Sequence, residues 1–474
     1  MISMKNPSAL LQLLLATGVL VAGCKVGPNY SRPAVNVPGQ YYNGVAPDLS
    51  NQAAQPAQAS GSPFGETKWE DVFQDDTLRG LIDEALKNNY DIKIAAARIT
   101  EAQANVGIVR ANQLPSVTGF GGVDYYRNAL QLNGPTVDSV GLQVNYIVDF
   151  WGKYRRMTEA ARAQLLATKF AKDVVQTTLI STVASNYYAM REYDSQLSYS
   201  QQTLAADQDI LKLNTVKFNG GDASLSDVYQ AQILVEEAQA QIIASKQAMA
   251  QSENQISILL GRNPGPVTRG LALDVQPHLA EIPTGLPSAL LERRPDVRQT
   301  EANLIAANAN VGVAKANFFP QLALTGQFGA ASTAITSFLQ GPATVWSVAA
   351  QVTQPLYAGG AITNTYRLAW AQRDEAEQTY KKTILGAFGD VANTLVGYNQ
   401  SRQYRIKIEE QTKTYKDTSD LAVIRFNNGY ASFIEVLVTE QQYFDSELLL
   451  ASAWNTELTY YVQLYQALGG GWTP

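Results

Sequence analysis

Residues 104–115 read ANVGIVRANQLP and residues 309–320 read ANVGVAKANFFP. Further on, FNGGDASLSDV at 218–228 is answered by FNNGYASFIEV at 426–436. Two matches in the same order at nearly the same separation make residues 76–261 and 288–469 copies of one structural unit. The fold is therefore pseudo-symmetric, and each copy is expected to run helix, two strands, very long helix, tight turn, long helix. The long helices follow from where proline is missing. None occurs between Pro135 and Pro264 or between Pro355 and Pro474, and Lys153 to Asn219 also lacks glycine. Unbroken, that run would extend on the order of 100 Å at about 1.5 Å per residue.

After the first turn, Val228, Val235, Ile242, Met249 and Ile256 recur every seven residues, interleaved with Ala231, Ala238, Ser245, Ser252 and Leu259. The second copy repeats the pattern with Val436, Tyr443, Leu450 and Leu464 against Thr439, Ser446, Ala453 and Ala467. Small residues at alternate layers allow close helix approach, so each copy predicts an antiparallel coiled-coil hairpin. The segments between helices follow a different period. Val140, Leu142, Val144, Tyr146, Val148 and Phe150 fall every second residue, with Gln143, Asn145 and Asp149 facing the other way. Trp346, Val348, Ala350, Val352 and Leu356 do the same, and Leu322, Leu324 and Phe328 more briefly; the run at 116–128, interrupted by Gly121-Gly122, is the weakest.

Apolar-out, polar-in strands near ten residues long fit a transmembrane barrel. Four strands cannot close one, since about eight is the working minimum, and open edges are not tolerated in lipid. The chain must therefore oligomerise. Phe150-Trp151 and Phe318-Phe319 fall where strands meet helices, as an interfacial aromatic girdle would.

Composition narrows the function. A formal charge of -6 without a basic stripe argues against nucleic acid. One cysteine, Cys24, and one histidine, His278, leave little room for disulfides, thiolate zinc sites or Cys/His and Ser/His catalysis, and no cofactor or metal site is expected. His278, between Pro277 and Pro283, reads as a solvated loop histidine. At the amino terminus, Lys5, an apolar run from Leu10 to Leu20, and Val21-Ala22-Gly23-Cys24 read as a secretory signal too short to span a bilayer. The small residues before Cys24 resemble a bacterial lipobox, which implies cleavage there and a covalent lipid on Cys24. By the same resemblance, Lys25 in place of an aspartate implies outer-membrane delivery. Residues 34–63 read as a linker without a core of its own. The expected division is 1–23 signal peptide, 24–68 lipidated extended segment, 69–265 first repeat, 266–287 linker and 288–474 second repeat.

These residues resemble the TolC-like outer-membrane efflux channels, specifically the NodT-type lipoproteins of resistance-nodulation-division systems. The resemblance covers essentially the whole mature chain. Its carriers are Cys24 with Val26-Gly27-Pro28-Asn29-Tyr30, Trp69 with Phe73 and Leu78, LLGRNPG at 259–265, Arg293-Arg294-Pro295-Asp296 and both FNxG turns. It implies a mostly α protein with membrane β: a homotrimer whose barrel of roughly twelve strands continues into an α-helical periplasmic tunnel. Its partners would be a periplasmic adaptor, an inner-membrane pump and outer-membrane lipid. The implied function is a passive exit duct for small molecules. A protein-exporting duct of a type I system and a structural coiled-coil envelope lipoprotein are the alternatives, and an enzyme is the weakest reading.

The residues to examine are those of docking and gating. By resemblance, both turns, Phe218 to Ser224 and Phe426 to Ser432, are periplasmic tips, which puts Phe218, Gly221, Asp227, Phe426 and Gly429 in the adaptor-docking region. Gly221 and Gly429 are suited to the left-handed residue that ends a helix. Asp227 and Glu435 follow Ser224 and Ser432 at helix-capping spacing, the strict capping box being Ser432 with Glu435. Capping is the preferred role of both acids, while a ring of Glu435 carboxylates around a symmetry axis remains the candidate gate. Phe426, Ala431 and Val438 depart from the prototype's tyrosine, basic residue and second acid, which weakens any lock built from those contacts. LLGRNPG lacks the ending of a phosphate loop and reads as a helix stop.

Overall fold

The computed structural model describes residues 25–41, 63–125, 136–279, 282–283, 287–333 and 343–472. Cys24, the signal segment and most of the 34–63 linker lie outside the described residues. The first copy consists of α1 (Asp76–Asn88), α2 (Tyr90–Ala111), β1 (Ser116–Tyr125), β2 (Thr136–Val148), α3 (Lys153–Gly220) and α4 (Leu225–Leu259). The second repeats it as α5 (Pro287–Arg293), α6 (Pro295–Ala316), β3 (Gln321–Ser332), β4 (Thr344–Thr353), α7 (Ala361–Asn427) and α8 (Phe433–Ala467). The proline-free runs form helices of 68 and 67 residues, so absence of breakers did set their length.

The single leading helix expected in each copy is two helices. Asn89 divides α1 from α2 because its side chain accepts from the Asp91 and Ile92 amides, 2.7 and 3.3 Å away, and so caps α2. In the second copy the break falls at Arg294, ahead of Pro295.

Two compact units result, one of Met1–Val35, Ala97–Lys169 and Gln299–Lys382, the other of Asn36–Ala96, Phe170–Arg298 and Thr383–Pro474. The first contains the sheet, antiparallel in the order β1-β2-β3-β4. Leu142, Phe328 and Trp346 stand in one cross-strand row, all three more than half exposed. An apolar row left uncovered is what a lipid-facing strand surface requires. Gly141 and Gly329 are paired partners on β2 and β3, and a Cβ on Gly329 would collide with the Val140 carbonyl. Among the described residues, the outer edges of β1 and β4 have no strand partner.

The second unit contains the coiled-coil hairpins. On α4 the buried seam includes Ala231, Ala238, Ser245 and Ser252, and on α8 Ser446, Ala453 and Ala467. Small side chains bring backbones within hydrogen-bond reach of the facing helix: Ser252 Oγ donates to the Asn186 carbonyl at 3.1 Å, and Thr412 Oγ1 to the Ser446 carbonyl at 3.2 Å. Gly261 ends LLGRNPG's helix at φ +72°, with the Arg262 amide reaching back to the Ser257 carbonyl at 3.0 Å. Among the described residues, no helix is long and apolar enough to cross a membrane.

Candidate functional site

The two turns superimpose in sequence but not in detail. Both close with glycine in the left-handed region, Gly221 at φ +87° and Gly429 at φ +78°. Asp222 and Tyr430 then donate their amides to the Lys217 and Arg425 carbonyls, each at 2.8 Å. Asp227 caps as expected, but the complete capping box falls on the first turn and not on the second. Ser224 accepts from the Asp227 amide at 3.2 Å while Asp227 Oδ2 accepts from the Ser224 amide at 2.9 Å, a complete capping box on the shorter acid. Ser432 makes no side-chain cap, and Glu435 instead pairs with Arg425 across the turn. The reason is reach: a glutamate extended toward a guanidinium cannot also fold back on its own N-cap. Phe426 sits 5.7 Å from the Phe433 ring, with Lys217 Nζ of the first hairpin 4.2 Å above it, and Phe218 is partly exposed. The structure thus brings Phe426 together with the end of α3, and leaves Glu435's carboxylate tied to a partner that water also reaches.

At the strand–helix junction the aromatic residues converge. Trp151 stacks on Phe319 at 4.5 Å, meets Phe150 edge-on at 4.8 Å and donates Nε1–H to the Pro320 carbonyl at 2.8 Å. Onto this girdle the amino-terminal strap is fastened, a connection that nothing in the sequence announced. The Val26 amide donates to the Trp151 carbonyl at 3.1 Å, and Lys25 pairs with Glu159. Arg156, 1% exposed, donates to the carbonyls of Val26 and Gly27 at 3.2 and 3.3 Å and to Asn29 Oδ1 at 2.9 Å. Asn308 holds the Pro28 carbonyl at 3.1 Å, and Glu301 receives Tyr30 at 2.9 Å and Arg32 through two bonds of 2.7 Å. Gly27, at φ +98°, lies against the Gly312 backbone, where a Cβ would collide. The VGPNY run therefore has a mechanical meaning: glycine for the close approach, asparagine for the buried guanidinium. Arg156→Ala should cost about 2 kcal/mol, since it removes the buried donor of the Val26 and Gly27 carbonyls and of Asn29 Oδ1; faster amide exchange at residues 26–30 with an intact sheet is the measurement that checks it, and unchanged protection would refute the clamp.

A second tie joins the linker to the first repeat. Asp75, 2% exposed, accepts from the Thr77 and Leu78 amides at 2.9 and 3.4 Å as N-cap of α1. It also accepts from the Leu271 amide at 2.9 Å, Gln276 Nε2 at 2.9 Å and Tyr187 Oη at 2.8 Å. Burial alone would push its acidity down, but these donors outweigh it and hold the carboxyl below its usual value. His278 is likewise not a solvated loop residue. Its Nε2 lies 3.1 Å from Glu457 Oε1 and its Nδ1 2.9 Å from the Gln276 carbonyl, edge-on to Trp454 and Tyr461. Desolvation opposes its protonation, yet the Glu457 and Gln276 oxygens raise it above its ordinary value. The flanking prolines concealed this, because a linker that crosses a hairpin is buried on one side. Among the described residues no group of histidine, cysteine, aspartate and glutamate is placed to hold a metal.

An apolar-faced sheet whose edges are free among the described residues, in one chain with paired helical hairpins, defines the protomer of an outer-membrane channel. The family model described as outer membrane efflux protein matches residues 81–262 and 286–470, and the chain belongs to that family. The solvent efflux pump outer membrane protein SrpC of Pseudomonas putida is 33% identical over 463 residues, covering 96% of this chain and 97% of that protein. The probable outer membrane lipoprotein SilC of Salmonella typhimurium is 29% identical over 469 residues, with 97% and 98% covered. The open state of the Neisseria gonorrhoeae MtrE outer membrane channel is 28% identical at a TM-score of 0.85, covering 94% of this chain and 98% of that one. The family is one of efflux channels and not of enzymes.

Proposed function

We propose that this chain is one protomer of a homotrimeric, passive exit duct in the outer membrane, completing an efflux pump with a periplasmic adaptor and an inner-membrane transporter. The observation that carries the assembly is the sheet: among the described residues, four strands, an exposed row of Leu142, Phe328 and Trp346, and two edges without partners. Lipid forbids open edges, so copies must supply them, and three copies make a closed barrel of roughly twelve strands. The role in efflux is supported by family membership and by relatives named as outer membrane components of efflux pumps. With no reaction to catalyse, the duct's working parts are its tips, Phe218, Gly221, Asp227, Phe426 and Gly429 as the docking region for the adaptor. Cys24, adjoining the strap that Trp151 and Arg156 hold at the aromatic girdle, carries the lipid anchor.

The test is the mass of the purified protein in detergent together with its current in a planar bilayer. A trimer with stable conductance is expected, and a monomer that inserts without conducting would end the proposal. Cys24→Ser should remove the acyl mass yet leave trimer and conductance in place, because the strands provide their own hold on the membrane. Loss of all membrane insertion in an exported, signal-cleaved Cys24→Ser protein would show that the strands do not span.

A further inference from the structure

Asp207 on α3, Glu237 on α4 and Glu440 on α8 line one cleft, together with Thr203, Leu234 and Phe444. It lies where the first hairpin meets the second, within the second compact unit. Asp207 is 3% exposed and, among the described residues, its carboxylate has neither a hydrogen bond nor an ion pair. Glu440 Oε2 is enclosed and equally without a partner. The other buried acids are all satisfied: Asp75 by Tyr187, Gln276 and amides, Glu192 by Asn455 and Gln196, Glu301 by Arg32, Glu457 by Arg405 and His278. An enclosed Glu440 Oε2 without a donor and an unpaired Asp207, facing one cleft from opposite hairpins, are costly as a pair of anions, and a proton on either relieves the repulsion.

We propose that Asp207 and Glu440 form a proton-operated lock between the two hairpins, closed when the pair carries a proton and released when both carboxyl groups ionise. Glu237 is the remaining charged group lining the cleft, and it adds to the repulsion; α7 contributes no lining residue. Burial, then Glu237, lifts Asp207 to about 6, and burial, then Asp207, lifts Glu440 to about 7. Both shifts are upward, so the closed arrangement binds more protons than the separated one. Closure is fully favoured below the ordinary carboxyl range of about 4 and is lost as pH rises through the raised values of about 6 and about 7. The lock concerns contact between hairpins alone; its consequence for flow rests on the duct reading above.

Spin labels at the exposed turn positions Asp222→Cys and Asn428→Cys, in full-length protein with Cys24→Ser, read the separation of the hairpins. From pH 5.5 to 8.5 the distances should lengthen with a midpoint between about 6 and 7. Adding Glu440→Gln or Asp207→Asn, each of which supplies a neutral donor to the other acid, should hold the short distance at both pH values. An unchanged distance in the parent, or an undiminished shift in Glu440→Gln, overturns the lock. The parent protein alone provides a further check by infrared spectroscopy: a protonated carboxyl band at pH 5.5 that disappears by pH 8.5 is expected, and its absence at pH 5.5 refutes the proposal even where a variant fails to fold. Bilayer current recorded alongside separates the two readings, since a pH-dependent distance without any conductance leaves the lock standing and removes the duct.

Discussion

Asp75→Ala should lower the stability of the helical unit by about 3 kcal/mol. The side chain serves five donors at once, and alanine leaves the Tyr187 hydroxyl and the Leu271 amide without this acceptor and Gln276 Nε2 with the Leu271 carbonyl alone. Gly270 adds to the cost of any rearrangement, because it lies against the carboxylate with no room for a Cβ. Thermal unfolding in detergent, followed by circular dichroism, measures the loss. The acid dependence has a definite sign. Asp75's carboxyl is held low in the folded chain, so its contribution is present above the unfolded value of about 3.9 and is lost as pH falls through the folded one. Asp75→Asn should therefore lose less stability than the wild type on acidification below about pH 4. Equal acid sensitivity in both would place the tie elsewhere.

Glu435→Gln should weaken the cation selectivity of the duct and its block by divalent ions, while Asp227→Gln should leave conductance nearly unchanged. We propose Glu435 as the gate because it opens the last helix, follows the turn that resembles the tunnel's closing point, and would in the proposed trimer have its copies set about one axis. The structure sharpens the comparison. Asp227's carboxylate is consumed by its capping box, whereas Glu435 makes no cap and is held only by Arg425 in an exposed ion pair. Such pairs contribute little and yield to competing cations. Glutamine at 435 therefore removes charge without removing a cap. Selectivity at low ionic strength, where screening is weak, decides the matter. Equal effects at both positions, or none at either, would remove Glu435 as the gate.

The helices and strands were legible because their signals are local. A run without proline or glycine from Lys153 to Asn219 has few alternatives to helix, and apolar residues at every second place from Val140 to Val148 have few alternatives to strand. The Asn89 break was hidden because asparagine is tolerated within helices and becomes a cap only when its side chain turns back. The turns were legible in outline through Gly221 and Gly429. Capping at Asp227 follows from its spacing, while that at Glu435 does not, because the box motif names residue types and the choice between cap and cross-turn partner depends on Arg425, ten residues before Glu435. The buried roles of Arg156, Asp75 and His278 were invisible for a plainer reason: their partners lie far along the chain, and no periodicity encodes such distances.

The amino-terminal strap imposes an order on the birth of the protein. Tyr30 waits for Glu301, 271 residues later, and Pro28 for Asn308, 280 residues later. Closing so long a loop carries an entropic cost that only completed non-local contacts repay. Residues 25–29 can meet Trp151, Arg156 and Glu159 once the first repeat is made, but Pro28, Tyr30 and Arg32 complete the strap only when α6 of the second repeat is in place. Until then part of the strap lacks its partners, so its closure is a record that both halves of the chain have folded, written beside the proposed lipid anchor.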